Sequence, residues 1–183
     1  MLGLWIAIGV VVLLVLYVVV AYNRLVRDRM RVDNAWSGID VQLRRRYDLI
    51  PNLVETVKGY ATHERELFER VTKARTQAIE AGSVPEQAQA ETEITRSLGR
   101  LLALAEAYPQ LRANENFLAL QEELTSTEGK IAFARQFYND QVMRYNTQIQ
   151  QFPSTIVARI GGFTEREFFE TEEDSRGVVA VDF

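Results

Sequence analysis

His63 is the only histidine of the chain and cysteine is absent, so the side chains that build most zinc, iron–sulfur and nucleophile sites occur once or not at all. His63-Glu64-Arg65-Glu66 departs from the H-E-x-x-H zinc pattern, because Leu67 stands where the second histidine would be. A Ser-His-Asp triad would have to recruit this one histidine, beside two glutamates on a surface-like helix, and nothing argues for it. Carboxylates are plentiful, as in Glu64 and Glu66 or Glu122 and Glu123. A carboxylate-only Mg²⁺ or Ca²⁺ site stays open on that basis, but no stretch has the Ca²⁺-loop pattern, and solvated helix faces explain the glutamates more simply. There is no Walker-type phosphate loop, no G-x-G-x-x-G and no G-x-S-x-G. The expectation is a protein without a catalytic centre, cofactor or resident metal.

Three groups of residues suit contact rather than catalysis. Arg44-Arg45-Arg46 is the densest charge feature. Three successive helical residues sweep about 200°, so the arginines cannot share one face. With Asp40 and Asp48 near them they read as a salt-bridged helix end, or as a contact for anionic lipid or an acidic partner. Tyr138-Asn139-Asp140 and Tyr145-Asn146 recur seven apart, on one side of a helix and in register with Val142 and Ile149. That pattern reads as a core seam with satisfied hydroxyls, and Tyr138, Asn139 and Asp140 stay candidates for interaction. Gly177–Phe183, GVVAVDF, is β-prone and apolar. Val179, Val181 and Phe183 are its candidate contacts, through strand addition to a sheet edge or capture of the terminal carboxylate. The opposing reading packs this tail on its own bundle, and Phe168 and Phe169 clip the preceding segment to that bundle in either case.

These groups need elements to carry them, and the first element is apolar. Leu2 to Tyr22 contains no charged residue and is long enough, at about 1.5 Å per residue, to cross a hydrocarbon core of about 30 Å. A cleaved signal peptide fits less well: the start lacks Lys and Arg, the run is too long, and no small-x-small site precedes Asn23. Trp5 and Tyr22 suit the two interfaces. Arg24, Arg27, Arg29 and Arg31 follow directly, so the positive-inside rule predicts an inner-membrane, single-pass protein with its N-terminus outside and its remaining chain in the cytoplasm. The same arginines are candidate headgroup contacts, contributing about 1 kcal/mol each near an anionic surface. The span lacks G-x-x-x-G, so it gives little support for helix association. Overall the chain carries 21 basic and 25 acidic residues, with a pI near 5.2, which argues against a nucleic-acid partner.

Beyond the span, apolar positions recur three or four apart, through Leu43, Tyr47, Ile50 and Val54 and again through Tyr138, Val142, Tyr145, Ile149 and Phe152. The periodicity predicts helical runs over 24–46, 51–80, 86–107 and 114–151. Ser83-Val84-Pro85-Glu86 is a capping-box match, Ala81-Gly82 closes the run before it, and Gly161-Gly162 terminates a short helix after Pro153. A break or sharp kink is expected at Pro51, where a helix interior would lose about 3 kcal/mol, although the apolar series passes through it almost in phase. Close helix packing is the expected reason for Gly38, Gly59, Gly99 and Gly129. The fold class is all-α: one N-terminal transmembrane helix, then an antiparallel up-and-down bundle of three to four long helices, then a short extended C-terminal tail. The expected division is an anchor over 1–23, a cytoplasmic bundle over 24–162 and an acidic, partly flexible tail over 163–183.

The strings RRYDLIPNLVETVKGY and YPQLRANENF, the long stretch through QFYNDQVMRYNTQIQQFP, and the following GGF resemble the LemA family of bacterial membrane-anchored proteins. The resemblance covers nearly all of the chain beyond the span. It implies a single span, a short outer N-terminus and a cytoplasmic antiparallel bundle, and it offers no catalytic residue to carry over. Family relatives include a magnetosome-membrane protein and proteins encoded beside membrane metalloproteases, which implies an accessory role. The family's C-terminal Pro-x-Val-x-Phe-like segment is altered here, where Ala180 takes the proline's place. The expected function is a non-enzymatic scaffold or adaptor that presents the bundle and C-terminal peptide to protein partners, such as a membrane protease or an envelope-stress system. The alternative is a self-assembling, homo-oligomeric membrane organiser, as in the magnetosome-associated relatives.

Overall fold

A computed structural model describes residues 1–170; Val179, Val181 and Phe183 lie outside the described residues. Among the described residues all regular structure is helical: α1 Leu2–Lys58, α2 Arg65–Glu80, α3 Val84–Ala107, α4 Pro109–Arg112, α5 Glu115–Gln150 and α6 Ser154–Ile160. The all-α class and the long apolar first helix follow the periodicity. The break expected at Pro51 does not occur, and α1 continues through it to Lys58. Pro51 has no N–H to give to the carbonyl of Tyr47, four residues back. Arg75 Nε, from α2, donates to that same carbonyl at 2.8 Å. The helix ends instead after Lys58, where the N–H groups of Tyr60 and Ala61 both close on the Val57 carbonyl. The single run expected over 51–80 is therefore the end of α1, a turn and α2.

The chain divides into two compact units. One comprises Gly38–Gln136 and the segment beginning at Phe168. Its core takes Ile39, Leu43, Ile50 and Val57 from α1, Phe68 and Val71 from α2, Ile94 and Leu101 from α3, and Phe117 and Leu124 from α5. Each such burial contributes about 1.5–3 kcal/mol before chain entropy is set against it. The connections are capped locally. Ser83 Oγ accepts from the Glu86 N–H, and the Glu86 carboxylate reaches back to the N–H of Gly82 at 2.9 Å, a one-residue variant of the capping box. Pro109 opens α4, where its missing N–H costs nothing, and Asn114 Oδ1 caps α5 through the Phe117 N–H at 2.9 Å. A Cβ at Gly38, Gly99 or Gly129 would meet nothing within 4 Å, so close packing is not what those glycines serve.

The other unit comprises Met1–Ser37 and Phe137–Glu167. Here α1 and α5 run antiparallel, with Leu25, Val32 and Ala35 buried on one and Tyr138, Val142 and Tyr145 on the other. The Trp36 and Tyr138 rings meet edge-on at 5.4 Å. After α5 the short α6 buries Val157 and Ala158 and ends in a Schellman turn. The Phe163 N–H bonds the Ala158 carbonyl at 3.0 Å and the Gly162 N–H bonds that of Arg159 at 3.3 Å. Gly162 takes φ +68°, which an L side chain resists, and a Cβ on Gly161 would stand 2.7 Å from the Phe163 ring. The GGF triplet thus folds Phe163 back onto the unit. Phe152, expected at the end of the core series, is 81% exposed, because α5 stops at Gln150.

Candidate functional site

Arg46 places a charge in the interior of the unit that holds α2 and α3. It lies on the stripe of α1 that carries Leu43 and Ile50, and its side chain is 1% exposed. One guanidinium nitrogen pairs with the buried Glu91 of α3. The other donates to both carboxylate oxygens of Glu128 on α5, at 2.8 and 3.0 Å, and approaches Thr95 Oγ1 at 3.4 Å. Tyr47 OH donates to the second oxygen of Glu91 and accepts from Gln87 Nε2 at 2.7 Å, while the same amide reaches Glu91 at 2.8 Å. Burial pushes the Tyr47 hydroxyl up to about 12, against the opposing influence of Arg46 and the Gln87 hydrogen bond. The phenol therefore stays protonated and donating. The guanidinium bridges two carboxylates, one of which also takes a phenol and an amide, an arrangement that ties α1, α3 and α5 in register while Arg46 Nε is left without a hydrogen-bond partner.

A second polar constellation lies in the other unit and grips backbone. Asn146 on α5 bonds both ways with Arg166: Nδ2 donates to its carbonyl and Oδ1 accepts its N–H, each at 2.9 Å. Tyr138 OH donates to the Glu167 carbonyl at 2.8 Å, and the Arg166 guanidinium pairs with Asp33 of α1 at 2.8 Å. Burial raises the hydroxyls of Tyr138 and Tyr145, with Arg166 acting in the opposite direction. Phe163 stacks edge-on against Tyr22 at 5.4 Å and lies beneath the Arg29 guanidinium at 5.4 Å. This clamp holds residues 163–167 as a peptide holds to a receptor, through main-chain groups and one aromatic anchor. In the first-described unit, Phe169 is fully buried with the Arg135 guanidinium 5.4 Å from its ring, and Phe168 is 39% exposed.

The candidates taken from sequence divide accordingly. Arg44 is exposed and pairs with Asp40 at 2.9 Å, Arg45 pairs with Glu123, and Arg46 points inward, so the triplet spreads over three directions as its helical spacing requires. Tyr138 is a core seam residue with a satisfied hydroxyl; Asn139 is half-buried and Asp140 exposed. Arg24 and Arg31 flank Asp28 at 3.9 and 3.1 Å, Arg29 covers Phe163, and Arg27 is exposed. Sequence reasoning passed over Gln87, Glu91 and Glu128, and met Asn146 only as part of the Tyr-Asn repeat. Glu91 carried a usable signal, since it sits in step with Ala88, Ile94 and Leu98 on the buried stripe of α3. Among the described residues no three His, Asp or Glu side chains gather as a cation site.

Comparison with known proteins reaches the same family as the motifs. The model of the LemA family matches residues 35–183. Magnetosome protein MamQ 1 of Paramagnetospirillum magneticum is 27% identical over 175 residues, which cover 81% of this chain and 64% of that protein. Magnetosome protein MamQ of Magnetospirillum gryphiswaldense is 27% identical over 159 residues, 73% of this chain and 58% of the relative. Protein LemA of Metamycoplasma hominis is 24% identical over 155 residues, 84% and 71% respectively. The chain thus spans less than two thirds of either MamQ relative. The motifs now have structural roles, with Pro51 and Tyr47 in α1, Asn114 capping α5 and GGF folding Phe163 back, and on the family match this chain belongs to the LemA family.

Proposed function

We propose that this protein is a membrane-anchored, non-enzymatic scaffold or adaptor that presents its helical bundle and C-terminal peptide to protein partners. The observation that carries the reading is the composition of α1: one uninterrupted helix supplies both a segment apolar and long enough to cross a membrane and, in later turns, core positions of the bundle. Anchor and domain therefore share a backbone with no linker between them. The pairing of Arg46 with Glu128, of Gln87 with Glu91, and of Asn146 with the Arg166 backbone supports the non-enzymatic part, because these groups are spent on structure. None of the relatives' names describes an enzyme. The arginines after the span favour an N-terminus outside and a bundle in the cytoplasm, with division at about 1–23, 24–162 and 163–183.

In this reading residues 163–170 are the base of the presented peptide, and Gly177–Phe183, with Val179, Val181 and Phe183, is its recognition end. Exposed Arg44 and Arg45 and the Asn139-Asp140 edge are further contact points. The partner is a protein, such as a membrane protease or envelope-stress component. A second reading, a self-assembling membrane organiser, is favoured by the magnetosome proteins among the relatives.

The test is crosslinking in intact membranes followed by affinity isolation, comparing the full chain with one ending at Arg176. A distinct protein captured by the full chain and lost on truncation supports the adaptor. Self-crosslinks alone, unchanged by truncation, replace it with the organiser. Because the chain has no cysteine, Leu2→Cys and Ser175→Cys report topology, and labelling of Ser175→Cys by an impermeant reagent in intact cells would overturn the cytoplasmic placement.

A further inference from the structure

Among the described residues, three large apolar side chains at the end of one unit are left uncovered. Phe152 is 81% exposed, Ile156 51% and Ile160 84%. Ile156 and Ile160 are four apart on α6, on the face opposite the buried Val157 and Ala158. Phe152 precedes that helix by two residues.

Their level along α1 can be read from the antiparallel pairing. Trp36 meets Tyr138 at one end. From there twelve residues of α1 lead back to Arg24 and twelve of α5 lead to Gln150, each covering about 18 Å. The end of α5 therefore lies beside Arg24. The return of the chain agrees, since Phe163 packs on Tyr22 and Arg29. Tyr22 closes the uncharged run that begins at Leu2. Ala21 and Leu25 are buried by this unit, whereas Val20 and Tyr22 remain exposed. The unit thus meets the span at the last turn of its apolar segment.

We propose that Phe152, Ile156 and Ile160 form an interfacial foot that inserts into the lipid leaflet at the C-terminal end of the span. The inference rests on the reading of residues 2–22 as membrane-spanning. Lipid is the occupant that the position selects, because the stripe continues the apolar surface of the span at the depth where headgroup and acyl regions meet. The exposed Arg159 sits on the same short helix and extends its charge toward headgroups while its stem stays apolar. The foot gives the bundle two points of attachment, one covalent and one by insertion, so the unit is held at a fixed tilt to the bilayer.

The test uses the full chain in lipid nanodiscs with one environment-sensitive fluorophore on Ile156→Cys, Ile160→Cys, Val12→Cys or Gln89→Cys. Lipids carry a nitroxide quencher near the headgroup or deep in the acyl chain. The foot predicts at least a twofold loss of fluorescence at 156 and 160 with the shallow quencher, loss at 12 with the deep one, and no change at 89. Quenching at 12 without quenching at 156 and 160 overturns the foot and leaves the span standing. No quenching at 12 removes the membrane reading and the foot with it. Labels at 156 and 160 that ignore lipid, but respond to a nitroxide on another copy of the chain, assign the surface to self-association and also overturn the proposal. Unchanged thermal unfolding of each variant confirms that labelling these exposed positions leaves the fold intact.

Discussion

Arg75 Nε donates to the Tyr47 carbonyl at 2.8 Å, the one acceptor that Pro51 leaves without a helical partner. A side chain of α2 thereby completes the hydrogen-bond ladder of α1. The proline is tolerated because a neighbouring helix substitutes for its missing N–H.

The substitution makes Arg75 and Pro51 energetically coupled. Arg75→Met should cost about 1–3 kcal/mol, the cost of an acceptor stripped of its donor inside the fold. In a Pro51→Ala background the new alanine supplies its own N–H, and the same change should cost markedly less. Denaturant unfolding of the four chains in a double-mutant cycle measures the difference, and additive effects would refute the coupling.

Arg46 tests the buried network. Arg46→Met leaves Glu91 charged, buried and unmatched, and should destabilise by about 3–5 kcal/mol. Adding Glu91→Leu removes the stranded charge, so the double variant should recover most of the loss. A double variant no more stable than Arg46→Met alone would show that the guanidinium acts through Glu128 rather than through Glu91.

Tyr47 gives the fold an alkaline limit. Its hydroxyl is raised from 10 to about 12 by burial, so below pH 10 the folded and unfolded chains both hold the proton and the contribution is whole. Above pH 10 the unfolded chain alone releases it, and the contribution is lost progressively until the folded value is passed. Near-ultraviolet absorbance should show Tyr47 ionising late, with the onset of unfolding. In Tyr47→Phe that alkaline slope should flatten. Titration of Tyr47 near 10 in the folded chain would contradict the geometry.

What could be read from the sequence was decided by phase more than by residue type. Leu43, Tyr47, Ile50 and Val54 kept helical step across Pro51, and all four are buried on one helix; the proline, weighed by its local cost, pointed the wrong way because the compensating Arg75 lies 28 residues from the Tyr47 carbonyl it serves. Charge misled in the same manner. Arg46 and Glu91 occupy stripe positions, yet their type suggested solvent, and only pairing across helices explains their burial. The Tyr-Asn repeat marked Asn146 but not its partner, since a side chain that bonds extended backbone does so at whatever residue the fold delivers. Gly161-Gly162 was legible because the requirement is local: the turn itself needs positive φ at Gly162.

The Arg46–Glu128 pair also orders events in time. Its partners are 82 residues apart, and at a synthesis rate of about 5–20 residues per second Glu128 follows Arg46 by roughly 4–16 s. The apolar start of α1 leaves the ribosome well before either. During that interval the guanidinium has no Glu128 to meet, and the nascent unit lacks the contact that locks α5 against α1. Locking of α5 against α1 through this pair is therefore a late step of biosynthesis, set by the arrival of the second carboxylate rather than by the emergence of the first helix.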